Sequence, residues 1–366
     1  MNKPTIIGII GCGNISQAYF NGAKALDMIA IKACADLNRE AAQKKAEENG
    51  VLALSIEELL ADSEIQIVVN LTNPQAHAAV NLQALRAGKH VHCEKPFAVT
   101  REDGKAVLAL AAEKGLMTGG APDTFLGGGL QTARKLVDDG WIGRTVSGTA
   151  FMNCHGHESW HPNPGFYYLN GGGPLFDMGP YYISALVHLL GPVKKVTAMG
   201  GRAFNERLAT SEGAKGQALP VEVDTHVAGV MEFCNGALIT LIMSFDVWKS
   251  DGRFLEIHGT RGSLKLPDPN GFGGSISLFR PGMENWQDLP LSHGYTNNMR
   301  IIGVADMACA IRDGRPNRCG GEMAYHVLDV MHSLGDSSKS GRHIEIASTC
   351  RQPAPLPMDM PAGLLD

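Results

Sequence analysis

No uninterrupted apolar run in the 366-residue chain reaches the roughly 18 residues a membrane-spanning helix requires. The opening MNKPTIIGIIGCGN carries an apolar stretch too short and too broken by glycine for a secretory signal, so a cytoplasmic protein without a membrane partner is expected. Basic residues are not in surplus: 32 Lys and Arg face 37 Asp and Glu, a formal net charge of −5. A chain of that charge has no field to attract a phosphate backbone, which argues against nucleic acid as a partner. The eight cysteines are scattered from Cys12 to Cys350 with no C-x-x-C pair. That pattern suits free thiols in a reducing compartment and gives no zinc spacing, so neither disulfides nor a metal is expected.

What the chain does have is glycine, 44 residues placed as punctuation between apolar runs. Its length suits two domains of about 100–200 residues each. Residues 5–10, TIIGII, form a short apolar run that reads as a buried strand, followed by a helical pattern over 14–25. The alternation continues with a strand at 29–35, helices at 39–49 and 56–61, and a strand at 65–71. A helix at 75–87, a strand at 90–94, a helix at 101–114 and a strand near 116–120 complete it. Such βαβ alternation predicts an α/β fold: an N-terminal doubly wound parallel sheet of the Rossmann type over residues 1–121.

Beyond Pro122 the character changes. Helical patterns at 129–139, 177–190, 298–312 and 321–336 are interleaved with β-rich stretches at 144–154, 193–203, 223–233, 236–245, 253–258 and 262–266. Cys234-Asn235-Gly236 is an Asn-Gly hairpin signal between two alternating runs, so much of this second sheet should be antiparallel. Residues 122–345 are therefore expected to form an α+β domain, with 205–221 as a surface loop and the proline-rich 346–366 as an extended arm.

Gly11-Cys12-Gly13-Asn14-Ile15-Ser16 follows the first strand and opens the first helix, the context in which a glycine turn cradles a pyrophosphate on backbone N–H groups. Gly11 permits the tight turn and Gly13 the close approach, while Ser16 stands in the third glycine position. Asp36 ends the second strand, where a carboxylate accepts from adenosine ribose hydroxyls and repels a 2′-phosphate; NAD is thus the expected cofactor. The alternative for Asp36 is a cap on the following helix.

The segment 73–96, NPQAHAAVNLQALRAGKHVHCEKP, and the block GGGPLFDMGPYYISALVHLLGP at 171–192 resemble the glucose–fructose oxidoreductase, inositol dehydrogenase and rhizopine-catabolism family over roughly residues 4–345. The resemblance implies a Rossmann domain followed by a large open-faced mixed sheet, with the nicotinamide between them. It adds Asn73, His77, Glu94 and Lys95 to the cofactor contacts and implies a cis peptide before Pro96. It makes Lys95, Asp177 and Tyr181 the catalytic candidates, all three also touching substrate. Many family members carry histidine where this chain has Tyr181. Burial near a positive nicotinamide is expected to lower the pKa of Lys95, and a neighbouring lysine to ease deprotonation of Tyr181. Tyr182 is expected in the core.

The run from Asn153 to His161 holds His155, His157, Glu158, Trp160 and His161. The histidines lack a fixed metal-binding geometry, and substrate hydrogen bonding by His157, Trp160 and His161 is the preferred reading. From Thr145 to Val193 there is no lysine or arginine to hold a phosphate, whereas aromatic, amide and imidazole groups abound, although Lys249 or Arg253 could still reach in. The expected function is NAD-dependent oxidation of an unphosphorylated sugar or polyol. The alternatives are an NAD-dependent glycosidase of the same fold and a non-catalytic NAD-binding regulator. Apolar alternation in Ala237–Ile242 further suggests a sheet face covered by another subunit, as a homodimer or homotetramer.

Overall fold

A computed structural model describes every residue except those at positions 1, 2, 253, 359 and 362. The first part runs β1 (Thr5–Ile10), α1 (Ser16–Ala23), β2 (Ile29–Ala35), α2 (Arg39–Asn49), β3 (Leu52–Ala53), α3 (Ile56–Ala61), β4 (Ile67–Asn70), α4 (Pro74–Arg86), β5 (His90–Cys93), α5 (Arg101–Lys114) and β6 (Thr118–Gly120). The strands form a six-stranded sheet in the order β3-β2-β1-β4-β5-β6, every pair parallel. Helices cover both faces, which is why Ile7, Ile9, Ile67, Val68 and Val69 are fully buried and the strands read as continuous apolar runs. The strand order reverses between β1 and β4, and the carboxyl ends of strands on either side of that point form the crevice where such sheets bind ligands.

The second part comprises α6 (Gly128–Asp138), β7 (Thr145–Asn153), α7 (Gly173–Leu190), β8 (Val193–Gly201), β9 (Glu206–Leu208), β10 (Ala218–Pro220), β11 (His226–Phe233) and β12 (Leu238–Ser244). It continues with β13 (Leu255–Gly259), β14 (Gly262–Leu266), β15 (Ile276–Phe279), β16 (Gln287–Leu289), α8 (Ile302–Asp313), α9 (Gly321–Ser340) and β17 (Ile344–Glu345). Nine strands form one mixed sheet, β16-β15-β14-β13-β7-β12-β11-β8-β17, in which only the β7–β12 pair among the described strands is parallel. The Asn235-Gly236 turn joins β11 to β12 in register, Glu232 opposite Leu238. Ile239, Leu241 and Met243 of β12 are fully buried, while Leu238 on the alternate face is 50% exposed, as are Val230 and Met199 in part or in large measure.

The expected surface loop at 205–221 instead holds the β9–β10 hairpin, whose three-residue strands are too short to show a period. Strands β15 and β16, absent from the sequence reading, extend the large sheet at one edge. No described helix is long and apolar enough to cross a membrane. Among the described residues beyond β17 there is no regular element, and the segment lies along the body: Leu356 and Leu365 are buried, and Leu356 N donates to Gln131 Oε1 at 2.7 Å.

Candidate active site

The turn after β1 is shaped by contacts that only glycine tolerates. Gly11 has φ 107°, and a Cβ there would collide with the Leu71 backbone. Gly13 is exposed, and a Cβ added to it would meet nothing, so its backbone is open to a pyrophosphate. Ser16 is buried and donates from Oγ to the Gly13 carbonyl at 2.7 Å, tying the turn to α1. Asn14 is exposed and Ile15 half-buried at the mouth of the same turn.

Asp36 accepts from Cys12 N at 2.7 Å through Oδ2 and from Asn38 N at 2.8 Å through Oδ1. The cap of α2 is Asn38, which accepts from Glu40 N and Ala41 N, so helix capping does not account for Asp36. A carboxylate retains lone pairs after two such bonds and is held beside the glycine turn, where ribose hydroxyls can donate to it. Asn73 is exposed at the N-cap of α4 and makes no capping bond. His77 lies beneath the surface: its Nδ1 and Nε2 face the Pro96 and Thr72 carbonyls at 2.7 and 2.9 Å, and burial lowers its pKa. A neutral ring donates to one of these carbonyls and braces the loop that carries Lys95. Glu94 is also buried, accepting from Tyr19 Oη at 2.9 Å and from Lys95 N at 2.8 Å. The turn and the Asp36 carboxylate together fit a dinucleotide.

At the carboxyl end of β5 the chain turns through a cis Lys95–Pro96 peptide; Ala121–Pro122 is cis as well. Lys95 reaches across to α7, donating from Nζ to Asp177 Oδ1 at 2.7 Å and to the Asp177 carbonyl at 2.9 Å. Helix α7 begins at Gly173, four residues earlier than the sequence pattern indicated, so Asp177 stands inside the helix and is not its cap. Pro180 interrupts the N–H ladder of this helix. The second Asp177 oxygen meets His157 Nε2 at 3.0 Å. Asp177 thus joins a cation from the first sheet to an imidazole from the loop after β7.

Burial alone would lower the pKa of Lys95, as the sequence led us to expect. In the free protein the structure reverses that expectation, because the negative charges of Asp177 and Glu94 outweigh burial and raise it. Asp177 is correspondingly lowered to about 2: burial opposes its ionisation, but Lys95 and His157 prevail. Tyr181 is also corrected. Its burial raises the phenol's pKa, and the opposing pull of Lys95, 5.5 Å from the ring centroid, is insufficient to reverse that. In the free protein both groups are therefore proton donors.

His157 packs edge-on against Trp160, Tyr167 and Phe245, and the orphaned Nδ1 of its ring is buried without a hydrogen-bond partner. Trp160, 61% exposed, and His161 continue this aromatic rim. The other members of the histidine-rich run diverge: His155 stacks on Trp248, and Glu158 pairs with Arg207. Among the described residues no three such side chains converge as a metal site. Tyr182 is fully buried, Lys249 is exposed, and Arg253 lies outside the described residues. One residue near the site escaped sequence reasoning. Arg300, just before α8, donates from Nη2 towards Tyr181 Oη at 3.5 Å.

Residues 6–119 match the family model described as the oxidoreductase family with NAD-binding Rossmann fold, and residues 130–265 match the Gfo/Idh/MocA C-terminal domain. The chain belongs to the Gfo/Idh/MocA oxidoreductase family. An uncharacterised oxidoreductase of Schizosaccharomyces pombe is 30% identical over 75% of this chain and 71% of its own length. Levoglucosan dehydrogenase of Pseudarthrobacter phenanthrenivorans is 28% identical over 70% of this chain and 72% of its own. Among solved structures, a levoglucosan dehydrogenase complex with NADH and L-sorbose superposes with a TM-score of 0.81 at 23% identity, covering 95% of this chain and all (100%) of that one. An NAD-binding oxidoreductase from Klebsiella pneumoniae gives 0.81 at 22%, with 95% and 100% coverage. These structural matches establish the fold, including the parallel Rossmann sheet and the large mixed sheet.

Proposed function

We propose that the protein is an NAD-dependent dehydrogenase that oxidises a hydroxyl of an unphosphorylated sugar or polyol. The observation that carries this reading is the Lys95–Asp177 pair set beside Tyr181 at the end of β5, on the edge of the sheet that bears the dinucleotide turn. Bound NAD supplies a two-electron acceptor. The protein's task is then to orient one hydroxyl and to remove its proton. Lys95 and Tyr181 converge on the position of the reacting oxygen, Asp177 fixes Lys95, and the His157 Nδ1 lone pair is free to accept from a further hydroxyl.

Sugar-like relatives support the same class: levoglucosan dehydrogenase and, at 26% identity, a D-glucoside 3-dehydrogenase of Escherichia coli. Lys95 is already engaged by Asp177, and the segment from Thr145 to Val193 brings no lysine or arginine to hold a phosphate monoester. The test is a comparison of kcat/KM for sugars and their phosphorylated counterparts. The free sugar is expected to be the better substrate, and a marked preference for the phosphate would refute the assignment.

Preference for NAD over NADP is attributed to Asp36. Asp36→Ala is expected to weaken NAD more than NADP, since it removes ribose hydrogen bonds and also relieves repulsion of a 2′-phosphate. Charge-assisted hydrogen bonds of about 1.5–3 kcal/mol imply a change in the cofactor ratio of roughly tenfold or more. Dissociation constants for both cofactors would check this, and an unchanged ratio would dissociate Asp36 from cofactor choice.

We further propose a homodimer or homotetramer, with the open face of the large sheet, including Met199, Val230 and Leu238, covered by a second subunit. Light scattering at micromolar concentration is expected to give at least twice the monomer mass of 39.0 kDa. A monomer would contradict it.

A further inference from the structure

Arg300 is held in place by unusual backbone. The residue after it, Ile301, has φ 94° and ψ −8°, a left-handed conformation that β-branched residues rarely adopt. Its N–H and that of Gly303 donate to Asp123 Oδ2 at 2.9 and 3.1 Å, and its side chain is fully buried. On the other side, the Arg300 carbonyl lies so close to Gly22 of α1 that a Cβ there would collide with it. Strain of this kind persists where surrounding contacts over-determine it, and it marks positions where a side chain must be aimed.

The guanidinium so aimed donates to Asn270 Oδ1 at 3.1 Å and towards Tyr181 Oη at 3.5 Å, its carbon 5.7 Å from the Tyr181 ring centroid. Among the described residues no carboxylate lies within ion-pair distance of it. The contrast with the structural arginines is plain: Arg101 pairs with Asp329, Arg207 with Glu158 and Arg318 with Asp306. Arg300 and Lys95 instead place two cations about the Tyr181 ring.

We propose that Arg300 is a positioning residue for proton transfer at Tyr181: by donating to the phenol oxygen it directs the O–H towards the substrate oxygen and stabilises the phenolate left behind. The proposal rests on the dehydrogenase reading. In carbonyl reduction the phenol O–H bond breaks and an O–H bond forms on the substrate oxygen, the hydride that bound NADH would supply forms the C–H bond at the carbonyl carbon, and the phenolate charge faces Arg300 and Lys95. Oxidation is the reverse, with the hydroxyl proton passing to the phenolate.

The charged groups acting on Tyr181 come from several elements. Burial raises its pKa; Lys95 and Arg300 lower it, whereas Glu94 and Asp177 raise it. Removing Arg300 therefore raises it further. With NAD and a sugar substrate, Arg300→Met is expected to reduce kcat by about tenfold or more, the scale of a lost charge-assisted hydrogen bond. The alkaline rise of kcat in the oxidative direction should move to higher pH, NAD affinity should be retained, and Arg300→Lys should recover part of the rate. In a Tyr181→Phe background Arg300→Met should cost nothing more.

An observation independent of turnover separates this proposal from the reading beneath it. In protein labelled with ¹³C at tyrosine Cζ, the resonance assigned by its loss in Tyr181→Phe is expected to shift in Arg300→Met and return towards its position in Arg300→Lys. If Arg300→Met does not fold, Arg300→Gln, which keeps a donor without the charge, replaces it with the same expected direction. An unmoved resonance overturns the proposal, as do independent, multiplying effects of the two variants. A selective loss of carboxylate-bearing substrates with the resonance unmoved would instead make Arg300 a substrate-anion site. If no sugar or polyol is turned over but the resonance shifts, the Arg300–Tyr181 coupling stands and the dehydrogenase reading fails.

Discussion

Lys95→Ala is expected to lower turnover by at least about a hundredfold, the low end for loss of a positioned acid–base group, while leaving NAD affinity largely intact. The expectation follows from the separation of tasks in the structure. The adenosine and pyrophosphate would rest on Gly11, Gly13 and Asp36, none of which contacts the Lys95 side chain, whose partners are the Asp177 carboxylate and carbonyl. Removing the ammonium also deprives Asp177 of the first of the charges that hold its pKa near 2, so the carboxylate is left with His157 alone. Steady-state kinetics and cofactor fluorescence titration would check both halves. With the proton passing to Tyr181, Tyr181→Phe should cost at least as much as Lys95→Ala; a clearly milder Tyr181→Phe would give the proton to Lys95. A Lys95→Ala enzyme that turns over normally but binds NAD poorly would make Lys95 a cofactor contact only.

The second large effect concerns pH. Oxidation needs an unprotonated base, so kcat/KM in that direction should rise towards alkaline pH, because Lys95 and Tyr181 both hold their protons more tightly than usual. Asp177→Asn removes the largest of the charges that raise Lys95, leaving Glu94 against burial, and removes a charge that raises Tyr181 as well. The alkaline rise should therefore move to lower pH, by about one unit or more on the scale of a neighbouring opposite charge. The plateau rate should fall as well, since Lys95 loses the acceptor that orients it. A pH–rate profile of the variant decides the matter. An unmoved rise, or one displaced to higher pH, would show that the Asp177 carboxylate does not govern the working base.

How much of this was legible in the sequence depends on the range over which each feature is encoded. The glycine turn after β1 is encoded locally, in glycine spacing, a preceding apolar run and Asp36 at the next strand end, and Ser16 bonds to Gly13 three residues away. Strands β15 and β16 were not legible, because the segment around them lacks a sustained alternation and its pairing is set by β14. Lys95 and Asp177, 82 residues apart, were named through family resemblance, but the sign of their effect on each other was not. Burial is suggested by an apolar strand; the counter-charge that overrides it comes from the other sheet's helix.

Arg300 shows the limit most clearly. The absence of cations from Thr145 to Val193 is true of that segment, yet a guanidinium arrives from 119 residues beyond Tyr181. No motif surrounds it. Its position depends on the Ile301 backbone and on the Asp123 carboxylate that holds it, and neither is visible as a pattern in the chain.

The most direct test of the dehydrogenase assignment is absorbance at 340 nm with purified protein, NAD and a panel of unphosphorylated aldoses, branched pentoses and cyclitols. One or more members should yield NADH in proportion to substrate oxidised, with the signal lost in Lys95→Ala. No NADH from any member, alongside tight binding of NAD, would contradict the assignment and leave a protein that holds the cofactor without performing this chemistry.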